Sequence, residues 1–428
     1  MRKFTKSNQL VKKVEKVIPL ASQTFSKSHL VYVGKSAPLF LTHGKAARVW
    51  DIDGNEYVDF VNGLLPIILG YQYPAVDAAI QKQLKNGIVF SLPSPLEYEL
   101  AALLVKLIPC AEMVRFAKNG SDATSGAIRL ARACTGRDHV AVCGYHGWQD
   151  WYIGSTTRHL GVPNATRALT HKFDYNDISS LEEIFKKNKN KVAAVILEPM
   201  NTDEPQKNFL EKVKNLTHKN GALLVFDETI TGFRYSLGGA QKFFGVTPDL
   251  ATFGKSIANG MPISALVGKR KYMKRVEDIF FSGTFGGETL SIAAALATIR
   301  EMQRKPILKK IWQNGRYLQT GTRKLLKQAG LGEIIKLTGK PCWQIFIFSG
   351  SHGYTGLELK TYIQQEMLQA GFLWSGAHNM QYGHTMADIK RMLRDYERVF
   401  TDLKRLLEEK KLGQHLVGKP IGNVFKVR

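Results

Sequence analysis

Short, almost wholly apolar runs mark the centre of this chain. They are residues 192–197, 223–226 and 250–253, and helical spacing of apolar residues precedes the first run at 181–187 and separates the first two at 209–218. Strands without polar alternation are buried on both faces, which is typical of a parallel sheet covered by helices. The pattern therefore predicts an α/β fold around a mainly parallel sheet.

The pattern changes toward both ends of the chain. Near the N-terminus, Asp53-Gly54-Asn55 lies between two short strand patterns and is a hairpin signal. After Gly287, long helical patterns dominate, with a few short strands between them. We therefore predict a large domain over residues 61–294 and a smaller α+β domain built from residues 1–60 and 295–428.

The composition restricts the classes of protein to which the chain can belong. Of its 428 residues 44% are hydrophobic, and no apolar run reaches the roughly 18 residues that a membrane-spanning helix needs. The basic N-terminus lacks the apolar stretch and cleavage site of a signal peptide. Four cysteines without CxxC spacing predict no disulfide framework and no metal site. These features predict a cytoplasmic protein without a membrane partner.

The net charge of +24 has two interpretations. An anionic partner such as a phosphorylated sugar, a sugar nucleotide or a nucleic acid would be attracted by it. A basic, solvated surface would have the same charge without any such partner. The basic residues are spread along the chain and no aromatic residues interleave with their clusters, so we expect no nucleic-acid partner.

Two charged residues that follow apolar runs suggest a cofactor site. Asp227 closes the run at 223–226, and Lys255 follows the run at 250–253 as Phe253-Gly254-Lys255. A lysine and an aspartate at the ends of neighbouring strands are typical of a site for pyridoxal 5′-phosphate (PLP). The lysine would form the Schiff base, and the aspartate would hold the pyridine nitrogen protonated. Burial of a carboxylate at a strand end is costly without such a partner.

Further segments could hold the rest of a cofactor. Gly120 and Ser121 open a helical pattern, where free N–H groups bind phosphate, although such residues are also ordinary helix caps. Tyr145 follows a strand and could stack on a flat ring, and the neighbouring His146 is either a hydrogen-bond partner behind it or a packed polar residue. Trp148 fits the core or an interface better.

Polar residues at other strand ends are candidates for the same edge of the sheet. Glu198 follows the run at 192–197, and Asn201 is either a contact to the cofactor or substrate or part of an ordinary loop. Thr229 would lie near the ring face opposite Tyr145. Thr284 belongs to a glycine-rich loop that is either a phosphate contact or a flexible substrate loop.

Taken in order, the motifs resemble those of the class III (fold type I) PLP-dependent aminotransferases. The resemblance is nearest to the branch that contains glutamate-1-semialdehyde 2,1-aminomutase and covers roughly residues 8–400. It is carried by the segments Trp50–Phe60, Asn119–Ala123, Tyr145–Gly147, Leu197–Pro199, Asp227–Arg234, Pro248–Lys255 and Gly283–Thr284. The Asp-Glu-x-x-Thr-Gly-Phe-Arg and Phe-Gly-Lys segments in that order are highly specific.

The resemblance implies a fold, an assembly and a reaction. The fold would be PLP-transferase fold type I, with a mainly parallel seven-stranded sheet in the large domain and a smaller α+β domain. The protein would be a homodimer in which Thr284 reaches the cofactor phosphate of the partner subunit, next to Gly120 and Ser121. Lys255 would also carry the proton between the substrate and the cofactor. An amino donor would convert PLP to pyridoxamine 5′-phosphate, and a carbonyl acceptor would then take the amino group.

Departures from that branch fall at positions that would choose the substrate. Gly63-Leu64 stands where that branch has Ser-Trp, and the glycine-rich loop, which usually continues with Asn-Pro, here reads Phe285-Gly-Gly-Glu-Thr289. We therefore predict substrate contacts at Leu64, Trp148, Glu288, His378 and Asn379. A pocket rich in such side chains suits a polyhydroxylated compound, so we predict a keto sugar of surface-polysaccharide biosynthesis as acceptor and glutamate as donor. The aminomutase itself, or an amino-acid transaminase including β-amino acid types, is the alternative.

Overall fold

The computed structural model of the protein describes residues 2–422. Within these residues the strands are β1 (Leu41–Lys45), β2 (Arg48–Asp51), β3 (Glu56–Asp59), β4 (Met113–Ala117), β5 (His139–Cys143), β6 (Thr170–Lys172), β7 (Val192–Leu197), β8 (Leu223–Asp227), β9 (Leu250–Phe253), β10 (Ser264–Gly268), β11 (Ile335–Lys340), β12 (Trp343–Phe348), β13 (Phe372–Leu373) and β14 (Ala377–Asn379). The α-helices are α1 (Thr5–Val14), α2 (Pro74–Leu84), α3 (Pro95–Leu107), α4 (Gly120–Thr135), α5 (Asp150–Ile153), α6 (Asn164–Arg167), α7 (Ile178–Lys187), α8 (Phe209–Lys219), α9 (Gly239–Phe244), α10 (Arg270–Met273), α11 (Thr289–Arg304), α12 (Ile307–Gln328), α13 (Gly356–Ala370), α14 (Met386–Glu408) and α15 (Leu412–His415). Short 3₁₀ turns cover Pro19–Ala21, Phe25–Lys27, Lys255–Ala258 and Lys274–Asp278.

The larger of two compact units comprises residues 74–306. Among the described residues of this unit, seven strands form one sheet in the order β4-β10-β9-β8-β7-β5-β6. The pairs β5–β6, β5–β7, β7–β8 and β8–β9 are parallel, and β10 runs antiparallel to β4 and β9. The predicted mainly parallel seven-stranded sheet is therefore confirmed.

The centre of this sheet is buried and apolar, because its strands carry almost no polar side chains. Every residue of β7, β8 and β9 is buried. Helix α4 lays its apolar residues over the sheet and packs Ala127, Ile128, Leu130 and Ala131 into the same core. A core this apolar gives the strands a single register, which fixes where the residues that follow them lie.

The second unit joins residues 2–73 to residues 307–422. It holds a sheet in the order β1-β2-β3-β13 and a second sheet in the order β11-β12-β14, together with the long helices α12, α13 and α14. It is thus an α+β unit. The Asp53-Gly54-Asn55 hairpin lies between the antiparallel strands β2 and β3.

The units divide at other positions than the domains predicted from the sequence. The predicted boundary between residues 294 and 295 would cut helix α11, which packs against α2 and α3 of the large unit. The other predicted boundary, between residues 60 and 61, lies before the division at residues 73 and 74. Residues 1 and 423–428 of the predicted small domain lie outside the described residues. None of the helices in residues 2–422 has the length and hydropathy of a membrane span.

A buried ion-pair cluster lies at the start of β9, at the edge opposite to the strand ends. Asp249 is 1% exposed, and its Oδ2 accepts hydrogen bonds from His218 Nε2 (2.7 Å) and the Leu224 N–H (2.9 Å). Its Oδ1 accepts one from Lys269 Nζ (2.8 Å). Burial raises the pKa of Asp249, but the bonds from Lys269, Leu224 and His218 outweigh burial, so the pKa lies below its usual range.

We expect Asp249→Asn to destabilise the large unit by about 2–3 kcal/mol at neutral pH. Loss of the carboxylate leaves Lys269 without its counter-charge and His218 without a charged hydrogen-bond acceptor, and the expected loss of stability is moderate because both side chains are about a third exposed. The pKa of Asp249 is lower in the folded than in the unfolded state. Its contribution to the free energy of unfolding is therefore present above the unfolded-state pKa and is lost as pH falls through the folded-state pKa. Denaturant unfolding at neutral pH and below about pH 4 measures both effects. Asp174→Asn, which removes an exposed pair with Lys172, is the matched control and should change stability by less than about 0.5 kcal/mol; an equal effect of both variants would contradict the prediction.

Candidate active site

Polar side chains collect where the parallel strands of the large unit end. Strands β5, β7, β8 and β9 run in the same direction, so their carboxyl ends lie at one edge of the sheet. Tyr145, Glu198, Asp227 and Lys255 stand at or just after these ends. This is the edge at which α/β sheets bind their ligands.

Asp227, the last residue of β8, is buried in a dense set of hydrogen bonds. Its Oδ1 accepts from the Thr229 N–H (3.1 Å), from Thr229 Oγ1 (2.6 Å) and from Thr252 Oγ1 (3.0 Å). Its Oδ2 lies 2.9 Å from His146 Nδ1. Burial raises the pKa of Asp227, but His146 and Thr229 lower it by more. The carboxylate is therefore ionised although it is buried.

Lys255 begins the 3₁₀ turn that follows β9 in an unusual backbone conformation. Its φ of 44° lies in the left-handed region, which a residue with a side chain seldom adopts and which costs about 1–3 kcal/mol. The described residues offer its Nζ neither a hydrogen bond nor an ion pair. Burial lowers the pKa of Lys255 by more than Glu198 and Asp227 raise it. The amine is thus easier to deprotonate than that of an ordinary lysine.

Glu198 is a second buried carboxylate at this edge. Its Oε2 accepts hydrogen bonds from the Tyr145 N–H (3.0 Å) and from Asn201 Nδ2 (2.6 Å). Burial and the nearby Asp227 raise the pKa of Glu198. Gly144 makes this arrangement possible, because a Cβ at this residue (φ 104°) would lie 2.5 Å from Glu198 Oε2. Asn201, predicted to reach a ligand, is here a partner of Glu198.

Two aromatic residues of the segment after β5 are open to solvent. The Tyr145 side chain meets Tyr152 edge-on at 5.6 Å between ring centroids, and the residue is 42% exposed. Trp148 is 68% exposed, so the core position considered for it is wrong, and the interface position stays a prediction. The partly exposed ring of Tyr145 is of the kind that stacks on a flat cofactor ring, and its role there stays a prediction.

The N-terminus of helix α4 supplies the N–H groups that bind anions. Helix α4 begins at Gly120, and the Asp122 carboxylate accepts from the Asn119 N–H (2.7 Å) at its start. A Cβ on Gly120 would lie 2.9 Å from the Thr229 methyl group, so only glycine allows this close approach. Ser121 is buried beside it. The first turn of a helix has unpaired N–H groups and a favourable dipole for phosphate.

The loop that carries Thr284 is held at both ends and exposed in the middle. Arg129 donates to the Phe280 carbonyl (2.7 Å), and Arg115 donates to the Phe281 carbonyl (3.0 Å). Beyond the loop, Glu288 pairs with Lys118 (2.8 Å) and accepts a hydrogen bond from the N–H of Leu290, the second residue of α11 (2.6 Å). Glu288 is thus the N-cap of α11, and its predicted contact with substrate stays a prediction.

The other predicted substrate residues belong to the second unit. Leu64 lies in a left-handed conformation, with φ 75°. His378 is fully buried, and its two ring nitrogens lie 2.9 Å from Gln344 Oε1 and 2.7 Å from the Tyr396 hydroxyl. Burial lowers the pKa of His378 to about 3. Asn379 donates to the Val61 carbonyl (2.8 Å). Both ring nitrogens of His378 and the side-chain amide nitrogen of Asn379 therefore have hydrogen-bond partners within the protein. The substrate roles of Leu64, His378 and Asn379 stay predictions.

Thr252 is a site residue that the sequence analysis overlooked. It is fully buried in β9 and bonded to Asp227, its register partner on β8. The only signal was a hydroxyl in the otherwise apolar run at 250–253. A polar residue in a buried strand must find a hydrogen-bond partner, and in this strand the partner is the site carboxylate.

Comparisons with known proteins point to one family. The family model described as "Aminotransferase class-III" matches residues 31–341. A 3-aminobutyryl-CoA aminotransferase of Cloacimonas acidaminovorans (strain Evry) is 36% identical over 415 residues, which cover 95% of this chain and 99% of that protein. A glutamate-1-semialdehyde 2,1-aminomutase of Acetivibrio thermocellus is 39% identical over 344 residues, covering 76% of this chain and 80% of that protein. The solved PLP internal aldimine form of the FumI protein of Sphingopyxis sp. MTA144 is 30% identical, has a TM-score of 0.87 and is matched over 94% of this chain and 98% of its own.

The residues at the strand ends fit the cofactor of that family. PLP needs an amine, an anionic partner for its ring nitrogen and donors for its phosphate, and this edge presents Lys255, Asp227 and the start of α4. The enzyme uses PLP, and its fold is PLP-transferase fold type I. The match over residues 31–341 and the relatives aligned along most of the chain place this protein among the class III aminotransferases.

Proposed function

We propose that the enzyme transfers an amino group from an amino-acid donor, glutamate, to a carbonyl acceptor at the site around Lys255. The observation that supports this proposal is the placement of the buried Asp227 and of Lys255 at the carboxyl ends of the paired parallel strands β8 and β9, where burial lowers the pKa of the lysine. PLP, when bound, supplies a carbonyl carbon for the amino group and a ring that accepts electrons. The chain has to hold that ring and move a proton.

Each site residue has a distinct task in this proposal. Lys255 accepts and returns the proton at its Nζ, and its lowered pKa makes this amine easier to deprotonate than that of an ordinary lysine. Asp227 accepts the ring N–H at Oδ2, the oxygen with fewer hydrogen-bond partners. Tyr145 stacks on one ring face and Thr229 lies at the other. Glu198, held by Asn201, adds negative charge close to the amine.

The phosphate end involves a second copy of the chain. Gly120 and Ser121 at the start of α4 would donate to the phosphate of their own subunit, and Thr284 would donate to that of the partner subunit. Exposed apolar side chains near the Thr284 loop support this assembly, since a patch of this kind usually marks an interface. They are Leu84, Ile88, Val89, Phe90, Leu92, Tyr98, Phe280 and Phe285. The Thr289 N–H donates to the Ile88 carbonyl (3.0 Å), so the segment that carries Ile88 lies next to the residue that begins α11.

For the acceptor we propose a keto sugar of surface-polysaccharide biosynthesis, transformed in the cytoplasm. The exposed polar and aromatic segment that begins at Trp148 suits hydroxyl groups of a sugar. The net charge of +24 would favour encounter with a phosphorylated or nucleotide-linked form.

Two relatives favour a second candidate each. The 3-aminobutyryl-CoA aminotransferase is aligned over 95% of this chain, which favours a β-amino acyl thioester as product. The aminomutase is 39% identical over a shorter stretch, which favours glutamate-1-semialdehyde. A coenzyme A thioester is also anionic, so the charge of the chain does not separate it from a sugar nucleotide.

A half-reaction screen tests these acceptors against each other. The enzyme is loaded with pyridoxamine 5′-phosphate, and the return of PLP absorbance is followed after adding nucleotide-linked keto sugars, 3-oxoacyl-CoA thioesters, glutamate-1-semialdehyde or simple keto acids. We expect the keto sugars to restore the band fastest. Fast return with simple keto acids and none with keto sugars would remove the sugar proposal, and turnover of the semialdehyde without consumption of donor would identify the mutase. Lys255→Ala loaded in the same way is the control for unassisted chemistry.

A further inference from the structure

Helix α12 carries positive charge along its exposed side. Residues 307–328 include six Lys or Arg and neither Asp nor Glu, and no acidic residue occurs between Glu301 and Glu333. Five of the six basic residues are exposed, and we call them the basic row: Lys309, Arg316, Arg323, Lys324 and Lys327. The opposite side of the helix is buried in the second unit through residues such as Ile311 and Leu318.

The charges of the basic row are not balanced within the part of the chain that the structure describes. None of the five residues forms an ion pair there, and Arg323 donates to an uncharged group, the Leu337 carbonyl (2.8 Å). Arg323 and Lys327 are like charges one turn apart, and Lys309 lies in the first turn, where the helix dipole is unfavourable for a cation. Both features lower the stability of the helix, so helix stability does not explain the row.

Helix α14 of the same unit shows that a basic chain does not impose such a row. It is of similar length and includes six Lys or Arg and five Asp or Glu. Its charges pair along the helix, as Arg398 does with Asp402 (3.8 Å) and Lys404 with Glu408 (3.0 Å). The excess of basic residues in this chain is therefore concentrated on α12 and not on α14.

The spacing of the basic row restricts the shape of an anionic partner. Lys309, Arg316 and Arg323 are seven residues apart, so they stay within about 40° of one line on the helix and extend over about 21 Å. The exposed residues between them on this line are the uncharged Gln313 and Thr320. A second α-helix has the same rise per residue, so carboxylates at a seven-residue period on it would stay opposite these cations.

The composition of this face favours a protein over a lipid surface or a nucleic acid. Helices that bind lipid surfaces present large apolar side chains beside their basic residues, and single-stranded nucleic acids stack on several aromatic rings. Tyr317, which is 47% exposed, is the single large hydrophobic residue on the exposed side of α12. Tyrosine and arginine are residues that protein–protein interfaces favour.

We propose that the basic row is a docking surface for an acidic α-helix of another protein, one that carries Asp or Glu at a seven-residue period. Attraction between the two rows would speed encounter, and their matching spacing would set the register of the two helices. The row belongs to the second unit, and none of its residues is assigned to the candidate active site. The inference therefore does not depend on the proposed function.

Fluorescence anisotropy with two labelled helical peptides tests the proposal. Both peptides are as long as α12 and have the same composition, but one carries Glu at a seven-residue period and the other at a five-residue period, which spreads the charges around the helix. The full chain should bind the first peptide at least about tenfold more tightly, and the binding should weaken as NaCl is raised from about 50 to 200 mM. Equal affinity for both peptides, or no binding at the lower salt, would overturn the proposal. Tighter binding of anionic lipid vesicles or of a single-stranded oligonucleotide would also overturn it, because either would identify another class of partner.

Charge reversal on two helices tests where the peptide binds. Lys309→Glu combined with Arg316→Glu changes two side chains that have no hydrogen-bond partner among the described residues, and it should lower the affinity for the seven-residue-period peptide at least about tenfold. Lys390→Glu combined with Arg394→Glu is the matched control, because it changes the net charge equally at exposed residues of α14; it should lower the affinity less than about twofold. Equal losses in both double variants would mean that binding follows net charge alone, and the proposal would be wrong. If the reversed variant did not fold, Lys309→Gln with Arg316→Gln would give the same comparison.

Discussion

An enzyme with Lys255→Ala should bind PLP without the visible absorbance band that arises when the cofactor carbonyl carbon is bonded to a lysine. We also expect kcat to fall by at least about 10²- to 10⁴-fold, the range that a lost general acid–base group accounts for. The reason is local: the described residues place no other lysine amine of lowered pKa in the field of Asp227 and Glu198. Absorbance spectra and stopped-flow half-reactions measure both losses.

Lys360→Ala is the matched control for this substitution. Lys360 is also largely enclosed, and burial lowers its pKa to about 8, but it belongs to helix α13 of the second unit. The control should keep the band and the rate. If Lys255→Ala retained the band and the control lost it, the assignment of the lysine would be wrong.

A mixed dimer of two inactive or weakened chains should regain a complete site. Thr284→Ala removes a donor to a charged group, so PLP affinity should fall about 10- to 100-fold. Lys255→Ala removes the amine from its own chain. In a dimer that combines one copy of each variant, the chain that retains Lys255 would receive Thr284 from the other chain. This site should bind PLP with wild-type affinity, and the mixed dimer should show about half the wild-type activity at low PLP, as one intact site of two requires.

The experiment uses differently tagged chains that are refolded together and purified by both tags. Ser282→Ala is the matched control for Thr284→Ala, because it removes a hydroxyl from the same exposed part of the loop. If the mixed dimer bound PLP only as weakly as Thr284→Ala does, Thr284 would act within its own chain. A monomeric wild-type protein in sedimentation would contradict the assembly itself.

The parallel core was predictable because burial on both faces leaves a mark in the sequence. Strands β7 and β9 begin and end as predicted, since every residue in them is apolar or small and buried. Strand β10 (Ser264–Gly268) was missed because it is short, with only three apolar residues between its first serine and its last glycine. Helix α2 was missed because it buries little, with only Val76 among its buried residues.

The residues of the candidate active site could be predicted from the sequence only in part. Strand ends locate Asp227 and Lys255, because parallel strands bring their carboxyl ends together. The left-handed backbone of Lys255 leaves no mark in the sequence, since no local residue type requires it. The same holds for the contact between His146 and Asp227, because the two residues are 81 positions apart in the chain. Domain boundaries were hard to place because α11 is apolar enough to fit either unit.

The pairing of Asp227 with Thr252 makes strand register visible to spectroscopy. The two residues are direct partners across β8 and β9, and a shift by one residue would replace the hydroxyl by Ala251 or Phe253 and turn the side chains to the other face. A chain paired in the wrong register would bring an apolar side chain to the carboxylate. The colour of added PLP would then differ from that of the native protein. The absorbance of added PLP during refolding should therefore report when β8 and β9 have paired in the native register. Signals that measure only the compaction of the chain would not report this step.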